Sequence, residues 1–416
     1  MDKGGRNSEK TVFALSCACL IKEFSMTNAV ISPWPSFTKE EAEAVQKTLL
    51  SNKVNYWTGQ EGRQFEKEFA AFAGTEYAIA VANGTVALDL SMRALGIGKG
   101  DEVVVTSRTF IASVSSIVTA GAIPVFADVD RDSQNITVET IKSVLTPRTK
   151  AIVCVHLAGW PCDMSPIMEL AEEKELFVIE DCAQAHGAQY DGCSVGSIGH
   201  VGCWSFCQDK IMTTGGEGGM VTTNDRELWS KMWSYKDHGK SWEAVYEREH
   251  PSGFRWLHES FGTNGRMTEM QAAIGRIQLK RMPQWHEART LNAEKILDVV
   301  RTLPGLRVPA IPSEVQHAWY KCYVFVAAEQ LNSGWDRDRI MNEIVAEGVP
   351  CFSGSCSEVY LEKAFDGTGW RPEQRLSVAK ELGETSLMFL VHPTLTGAEI
   401  QKTCDVLSKV MRQAVG

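Results

Sequence analysis

The chain has 416 residues, of which 44% are hydrophobic and 23% charged, and these proportions are typical of a soluble globular protein. Its formal net charge of -10 at pH 7 comes without long runs of like charge, which argues against broad nucleic-acid binding. A chain of this length exceeds the usual size of one hydrophobic core, so we expect two domains.

The N-terminal segment has weak features of a signal peptide. Basic residues precede an apolar run at positions 12–21, but this run is too short to span a bilayer and no clear cleavage motif follows it. We therefore expect residues 1–28 to form an N-terminal extension, disordered or helical, and we predict no membrane span.

The first predicted elements of the folded part form a strand, a turn and a helix. Amphipathic helical segments at 38–52 and 62–74 precede an apolar strand at 77–82. Asn83, Gly84 and Thr85 follow this strand, and a helix then runs through Ala94. The first turn of a helix presents free N–H groups and a partial positive charge, so this arrangement suits a phosphate group.

Four further apolar stretches, at 102–105, 124–127, 151–155 and 177–179, alternate with helical segments. This alternation predicts an α/β fold with a mostly parallel sheet covered by helices. In such sheets, ligands bind at the carboxyl ends of the strands.

A lysine and an aspartate stand out within this pattern. The strand at 177–179 ends in Glu180 and Asp181, and Lys210 follows about thirty residues later, just before a glycine-rich segment at 215–219. In pyridoxal phosphate (PLP) enzymes a lysine forms a Schiff base with the cofactor and an aspartate pairs with the pyridinium nitrogen. Each residue alone has an ordinary structural explanation, but their order favours a PLP site.

The twelve cysteines include no CxxC pair and no Cys/His spacing typical of structural zinc. Cys203 and Cys207 flank the lysine motif, where packing beside a cofactor is favoured over metal binding. We predict no metal site, and reduced thiols predict a cytoplasmic location.

A long helical pattern begins at Met267 and extends to about Leu303, with an interruption at Pro283. We place the boundary of the predicted domains there. Residues 29–283 would form a large cofactor-binding domain, and residues 284–416 a smaller α+β domain.

From Trp34 to the C terminus the chain resembles the sugar aminotransferases of the DegT/DnrJ/EryC1/StrS family, which belong to fold type I of the PLP-dependent enzymes, the aspartate aminotransferase superfamily. The motifs that carry the resemblance are Phe65-Glu66 with Gly74, residues 83–88 (NGTVAL), residues 98–103 (GKGDEV), residues 109–112 (TFIA), residues 180–185 (EDCAQA), and Ser205-Phe206 with Lys210.

The resemblance implies PLP as cofactor and assigns roles around its ring. Lys210 would hold the cofactor and shuttle a proton, and Asp181 would keep the ring nitrogen protonated. Gln184 would bond to the ring hydroxyl and Phe110 would stack on the ring. An aromatic residue after a strand is more often part of the core, so the role of Phe110 depends on the resemblance.

The resemblance also implies a phosphate site and a homodimer. Gly84, Thr85 and Ser205 would bind the phosphate. Asn264 matches a family segment that reaches across a dimer interface to the partner's cofactor, which implies shared active sites. Gly265 stands where many relatives carry a bulky aromatic residue. We interpret His156 and His186 as hydrogen-bonded core histidines rather than catalytic groups.

By resemblance, the chain is expected to move an amino group from glutamate or glutamine to a keto group of a nucleotide-activated sugar, in polysaccharide or glycosylated-metabolite biosynthesis. Lysine at position 210, where related sugar dehydratases often carry histidine, favours aminotransfer. A PLP-dependent sugar dehydratase or cyclitol aminotransferase is an alternative, and a non-catalytic regulator of the same fold is another. Residues 351–360 and 389–393 depart from the family pattern, which leaves the sugar, the nucleotide and the aminated carbon open.

Overall fold

The computed structural model describes residues 31–416, so the extension predicted for residues 1–28 lies outside it. The helices, in chain order, are α1 (Lys39–Leu50), α2 (Glu61–Ala73), α3 (Gly84–Ala94), α4 (Ala112–Thr119), α5 (Val138–Lys142), α6 (Met164–Glu173), α7 (Arg226–Lys236), α8 (Glu269–Val300), α9 (Arg337–Ala346), α10 (Ser377–Thr385) and α11 (Gly397–Val415). The strands are β1 (Tyr77–Val81), β2 (Glu102–Thr106), β3 (Ile123–Ala127), β4 (Thr149–Val155), β5 (Phe177–Asp181), β6 (Gln189–Tyr190), β7 (Cys193–Ser194), β8 (Val201–Ser205), β9 (Gly219–Thr223), β10 (Leu306–Arg307), β11 (Val315–Gln316), β12 (Cys322–Val326), β13 (Cys351–Phe352) and β14 (Ser386–Phe389).

Seven strands form the main sheet, in the order β1-β9-β8-β5-β4-β2-β3. Six of them run parallel, and β9 pairs antiparallel with both of its neighbours, β1 and β8. Strands β2, β8 and β9 are buried along their whole length, as expected for a sheet covered on both faces. The predicted mostly parallel α/β sheet is therefore confirmed.

Strand β8 goes unpredicted because a glycine interrupts its apolar pattern. A Cβ atom at Gly202 would lie 2.4 Å from the hydroxyl oxygen of Thr222 and 2.5 Å from the Cα of Gly196. Only glycine permits this close approach of neighbouring backbone, and it also weakens the strand signal in the sequence.

Helix α8 continues past Pro283 without a break, so the predicted interruption of the helix is wrong. A proline within a helix forfeits one backbone hydrogen bond, and α8 tolerates this loss at Pro283. Pro283 itself is exposed. The predicted domain division at residues 283 and 284 falls inside this helix and stays a prediction.

The C-terminal part of the chain forms a four-stranded antiparallel sheet in the order β10-β12-β14-β13. Helices α9 and α11 and the end of α8 pack on it around a core that includes Ile296, Val324, Leu387 and Leu407. Strands β11, β6 and β7 make a small third sheet. None of the helices within residues 31–416 combines the length and the apolar character needed to cross a membrane.

Candidate active site

The predicted site residues lie at one edge of the main sheet. Thr85 follows β1, Phe110 follows β2, Asp181 ends β5, and Ser205 ends β8, with Lys210 in the turn after it. Because these strands are parallel, their carboxyl ends meet at the same edge, which is where α/β proteins bind ligands.

Two neutral donors fix the carboxylate of Asp181, which is 6% exposed. Ser113 donates its hydroxyl to Oδ2 at 2.7 Å, and the backbone N–H of Ala183 donates to Oδ1 at 3.2 Å. The hydroxyl of Thr109 lies 2.8 Å from that of Ser113, and it must be the donor because the Ser113 proton points to Asp181. Ser113 was not predicted, although it is one helical turn after Thr109 in the quoted TFIA motif.

Gln184 has one polar atom engaged and one available. Its Oε1 accepts the backbone N–H of Ala158 at 2.8 Å, and within residues 31–416 its amide NH₂ group remains as a donor toward a ligand. Phe110 is 64% exposed and is therefore not a core residue. Its ring is accessible for stacking on a flat ligand.

The start of α3 and the end of β8 approach each other closely at Gly84. A Cβ atom there would lie 2.7 Å from the Cβ of Ser205 and 3.1 Å from its hydroxyl oxygen. Asn83 caps the helix by accepting the N–H of Val86 at 2.9 Å, while the N–H groups of Gly84 and Thr85 have no partner inside the helix. This juxtaposition of N–H groups and a hydroxyl suits an anion.

The loop that carries Asn264 is tied to the same region. Ala82 donates its N–H to the carbonyl oxygen of Gly265 at 2.8 Å, and a Cβ atom at Gly265 would lie 3.0 Å from the side chain of Val86. A larger side chain at position 265 would require the side chain of Val86 to move by a few tenths of an ångström. Asn264 is exposed, and its Oδ1 accepts the N–H of Arg266 at 3.4 Å.

The backbone of Lys210 is held while its side chain is not. Its N–H donates to the carbonyl oxygen of Cys207 at 3.1 Å, and its own carbonyl oxygen accepts the indole N–H of Trp34 at 2.8 Å. Its Nζ lies 5.2 Å from the ring centroid of Tyr320 and forms no ion pair within residues 31–416. The amine is thus positioned by its loop and remains available for chemistry.

Asp209, the neighbour of Lys210, accepts the hydroxyl of Tyr320. Burial alone would raise the pKa of Asp209, but the positive charge of Lys210 and the Tyr320 hydroxyl outweigh it, so that the pKa is lowered. Asp209 is therefore an anion that anchors Tyr320 beside Lys210.

The interpretation of His156 as a hydrogen-bonded core residue is confirmed. Its Nδ1 accepts the N–H of Cys162 at 3.0 Å, and its Nε2 therefore carries the proton that it donates to Glu180 at 3.0 Å. Glu180 also accepts three backbone N–H groups from residues 196–199. Burial raises the pKa of the nearby Cys182 thiol well above its ordinary value, which disfavours metal binding by this group.

His186 differs from the interpretation in one respect. It is fully buried between the rings of Trp204 and Phe206, as a core residue should be. Neither ring nitrogen makes a hydrogen bond of good geometry within the described part of the chain, so the predicted hydrogen bonding is wrong. Burial, followed by the charge of Lys210, lowers its pKa to about 3, so the ring is neutral near pH 7.

The chain is similar to known aminotransferases over most of its length. The model of the DegT/DnrJ/EryC1/StrS aminotransferase family matches residues 35–408. The X-ray structure of the aminotransferase from Psychrobacter cryohalolentis is 65% identical, with a TM-score of 0.91, and the match covers 92% of this chain and 99% of that one. The spore coat polysaccharide biosynthesis protein SpsC of Bacillus subtilis is 41% identical over 91% of this chain and 96% of its own length. UDP-N-acetyl-3-dehydro-alpha-D-glucosamine 3-aminotransferase of Acidithiobacillus ferrooxidans is 36% identical over 87% and 92%, respectively.

Proposed function

The chain belongs to the DegT/DnrJ/EryC1/StrS aminotransferase family, and we propose that it uses PLP to move an amino group from glutamate or glutamine to a keto group of a nucleotide-activated sugar. Relatives named for UDP-, GDP- and dTDP-linked sugars support this substrate class. The name of SpsC supports a role in polysaccharide biosynthesis, and a glycosylated metabolite is the other product class we consider.

The observation that carries the proposal is a set of separate polar groups at one sheet edge that fit the separate polar parts of PLP. The fixed carboxylate of Asp181 suits a protonated ring nitrogen, and the free amide NH₂ of Gln184 suits the ring hydroxyl. The N–H groups of Gly84 and Thr85, with the hydroxyl of Ser205, suit the phosphate.

When bound, PLP supplies an electron sink for the carbon that bears the amino group. Asp181, held by Ser113 and Ala183, would keep the proton on the ring nitrogen. Phe110 would cover one face of the ring.

Lys210 would carry out the proton transfer of the reaction. Its Nζ would take a proton from the α-carbon of the amino donor and return it on the cofactor side. The Lys210 backbone donates its N–H to Cys207 and accepts the indole N–H of Trp34, and these two hydrogen bonds would keep the amine in place during this transfer.

We further propose a homodimer in which Asn264 of each subunit reaches the cofactor phosphate of the other. Asn264 is exposed on a loop whose backbone joins the phosphate-facing start of α3 through Ala82 and Gly265. An exposed amide beside a predicted phosphate site is consistent with a role across an interface.

The test is the first half-reaction, followed in the purified protein loaded with PLP. Addition of L-glutamate should convert the visible absorbance of the bound cofactor to that of its amino form. Substitution Lys210→Ala should abolish this conversion, whereas Lys142→Ala, at an exposed position on α5, should not. A loaded wild-type protein that responds neither to glutamate nor to glutamine would contradict the proposal.

Product mass separates aminotransfer from the dehydratase alternative. Transamination of a keto sugar adds nitrogen to the product, whereas dehydration removes the elements of water. A product that has lost water without gaining nitrogen would favour the dehydratase.

A further inference from the structure

The turn that carries Asn264 is held to the end of α7 through its backbone. His238 donates its N–H to the carbonyl oxygen of Thr263 at 2.9 Å, and Gly265 donates its N–H to the carbonyl oxygen of Lys236 at 3.0 Å. These two hydrogen bonds involve the residues directly before and after Asn264. They therefore fix the backbone on both sides of the residue that is proposed to reach the other subunit.

The same turn is joined to the main sheet. Ala82 donates its N–H to the carbonyl oxygen of Gly265, and Arg266 forms an antiparallel bridge with Val81, the last residue of β1. Helix α3, with the proposed phosphate-binding groups at its start, begins at Gly84. The turn therefore connects the end of α7 with the strand that leads to the proposed phosphate site.

A buried ion pair spans this turn. The Nη1 of Arg266 donates to Oδ1 of Asp237 at 2.6 Å, and the side chains of Asp237 and Arg266 are 0% and 13% exposed. Lys240 places its Nζ 3.4 Å from the same oxygen. Asp237 lies opposite Asn264 in an antiparallel bridge, and Arg266 follows Asn264 by two residues. The ion pair therefore links the two chain segments at the position of Asn264.

Close packing leaves the two segments little room to move apart or slide. A Cβ atom at Gly262 would lie 2.5 Å from the backbone nitrogen of Gly239, and one at Gly239, whose φ is +87°, would lie 1.8 Å from the carbonyl oxygen of Ser260. Because backbone meets backbone there, only glycine fits at either position. The segments joined by the ion pair are thus in direct backbone contact two residues before Asn264.

The burial of the ion pair determines how it acts. Two charges taken out of water add little net stability, because the loss of hydration offsets their attraction. Separation of the pair, however, would leave a buried charge without its counter-ion, which is strongly unfavourable. The arrangement in which Asp237 meets Arg266 is therefore favoured over any in which the turn has moved away.

We propose that Asp237 and Arg266 are positioning residues for Asn264. This proposal rests on the proposed function, because it concerns the residue assigned to the cofactor phosphate of the other subunit. Neither member of the ion pair would touch the cofactor. Together they would hold the turn so that the exposed amide of Asn264 is presented in one place, since the hydrogen bond from the Arg266 N–H to its Oδ1 is long, at 3.4 Å.

The test of positioning is amide hydrogen exchange of residues 262–266 in the full-length, PLP-loaded protein, followed by mass spectrometry. Asp237→Asn removes the negative charge with almost no change in shape. Exchange of the turn should become about 10- to 100-fold faster, which corresponds to the loss of one charge-assisted hydrogen bond. Glu41→Gln is the matched control, because Glu41 is 2% exposed and pairs with Arg281 at the same distance of 2.6 Å. It should leave exchange of residues 262–266 unchanged.

Arg266→Lys is the second variant, since it keeps the positive charge but replaces the planar guanidinium group with a compact ammonium group on a shorter side chain. Exchange of the turn should again become faster. Thermal unfolding of both variants shows whether the rest of the fold survives. Exchange at the wild-type rate in either folded variant would overturn the proposal.

A double-mutant cycle on PLP affinity tests whether the ion pair acts through Asn264. Asn264→Ala and Asp237→Asn should each weaken PLP binding, and the double substitution should weaken it no more than the larger of the two single effects. Fully additive losses would mean that Asp237 supports the site by another route, and they would overturn its assignment to Asn264.

The two measurements separate failure of the positioning from failure of the proposed function. If Asp237→Asn accelerates exchange of the turn, but neither it nor Asn264→Ala changes PLP affinity, the positioning stands and the shared phosphate site is wrong. If Asn264→Ala weakens PLP binding while Asp237→Asn changes neither exchange nor affinity, the shared site stands and the positioning is wrong.

Discussion

Removal of the Ser113 hydroxyl tests whether its hydrogen bond fixes the carboxylate of Asp181 in the candidate site. Ser113→Ala removes the 2.7 Å hydrogen bond to Asp181 and leaves Oδ2 without that donor. A hydrogen bond to a charged group contributes about 1.5–3 kcal/mol, so PLP affinity or turnover should fall by about 10- to 100-fold. Spectroscopic titration with PLP and steady-state rates measure this change.

Ser116→Ala is the matched control for Ser113. Ser116 lies on the same helix, is equally buried, and donates its hydroxyl to the carbonyl oxygen of Ser113 rather than to Asp181. Equal effects of the two substitutions on PLP affinity would mean that Ser113 acts only through packing.

At the residue scale, the sequence predicts site residues that lie in local motifs. It does not predict those that only tertiary packing brings to the site. Asp181, Gln184 and Lys210 stand next to recognisable strand ends and turns. Tyr320, in contrast, comes from the segment just before β12. Its position near Lys210 depends on how the C-terminal part of the chain packs on the main sheet, and no spacing in the sequence encodes it.

At the scale of elements, Pro283 offers a test of helix α8. The ring of Pro283 lacks the N–H that would bond to the carbonyl oxygen of Leu279, and a proline inside a helix costs about 3 kcal/mol relative to alanine. Because Pro283 is exposed, its replacement by alanine should stabilise the protein, by up to that amount. Calorimetric unfolding should therefore show a higher Tm for Pro283→Ala.

Gln284→Ala, at the next and also exposed position of α8, should change the Tm far less. An unchanged or lower Tm for Pro283→Ala would show that helix α8 depends on the local geometry that proline imposes.

The elements that the sequence predicted well have strong periodic patterns. The predicted helix at 38–52 corresponds to α1, whose capping residue is Thr38, and the strand at 77–82 corresponds to β1. The sequence did not reveal that β9 inserts antiparallel between β1 and β8. Strand order depends on long-range pairing, whereas periodicity reports only which face of each element is buried.

At the scale of the whole molecule, the exposed aromatic side chains before Asn264 bear on the proposed dimer. Phe254, Trp256 and Phe261 are 75%, 76% and 95% exposed, and the rings of Phe254 and Trp256 pack at 5.3 Å. Large apolar side chains clustered in one exposed segment are typical of protein interfaces. We infer that a second copy of the chain covers them, because they precede the residue proposed to reach the other subunit's cofactor.

The double substitution Trp256→Glu with Phe261→Glu should therefore convert the proposed dimer into monomers, since it would bury two carboxylates in an apolar contact. PLP affinity should fall with it, because each site would lose the Asn264 of the other subunit. Light scattering after gel filtration measures the mass, and a PLP titration of the same samples measures the affinity. Val345→Glu, at an exposed apolar position on α9, should change neither quantity. A monomer that binds PLP as tightly as the wild type would show that the site is not shared, and a variant that remains dimeric would show that these aromatic side chains do not hold the subunits together.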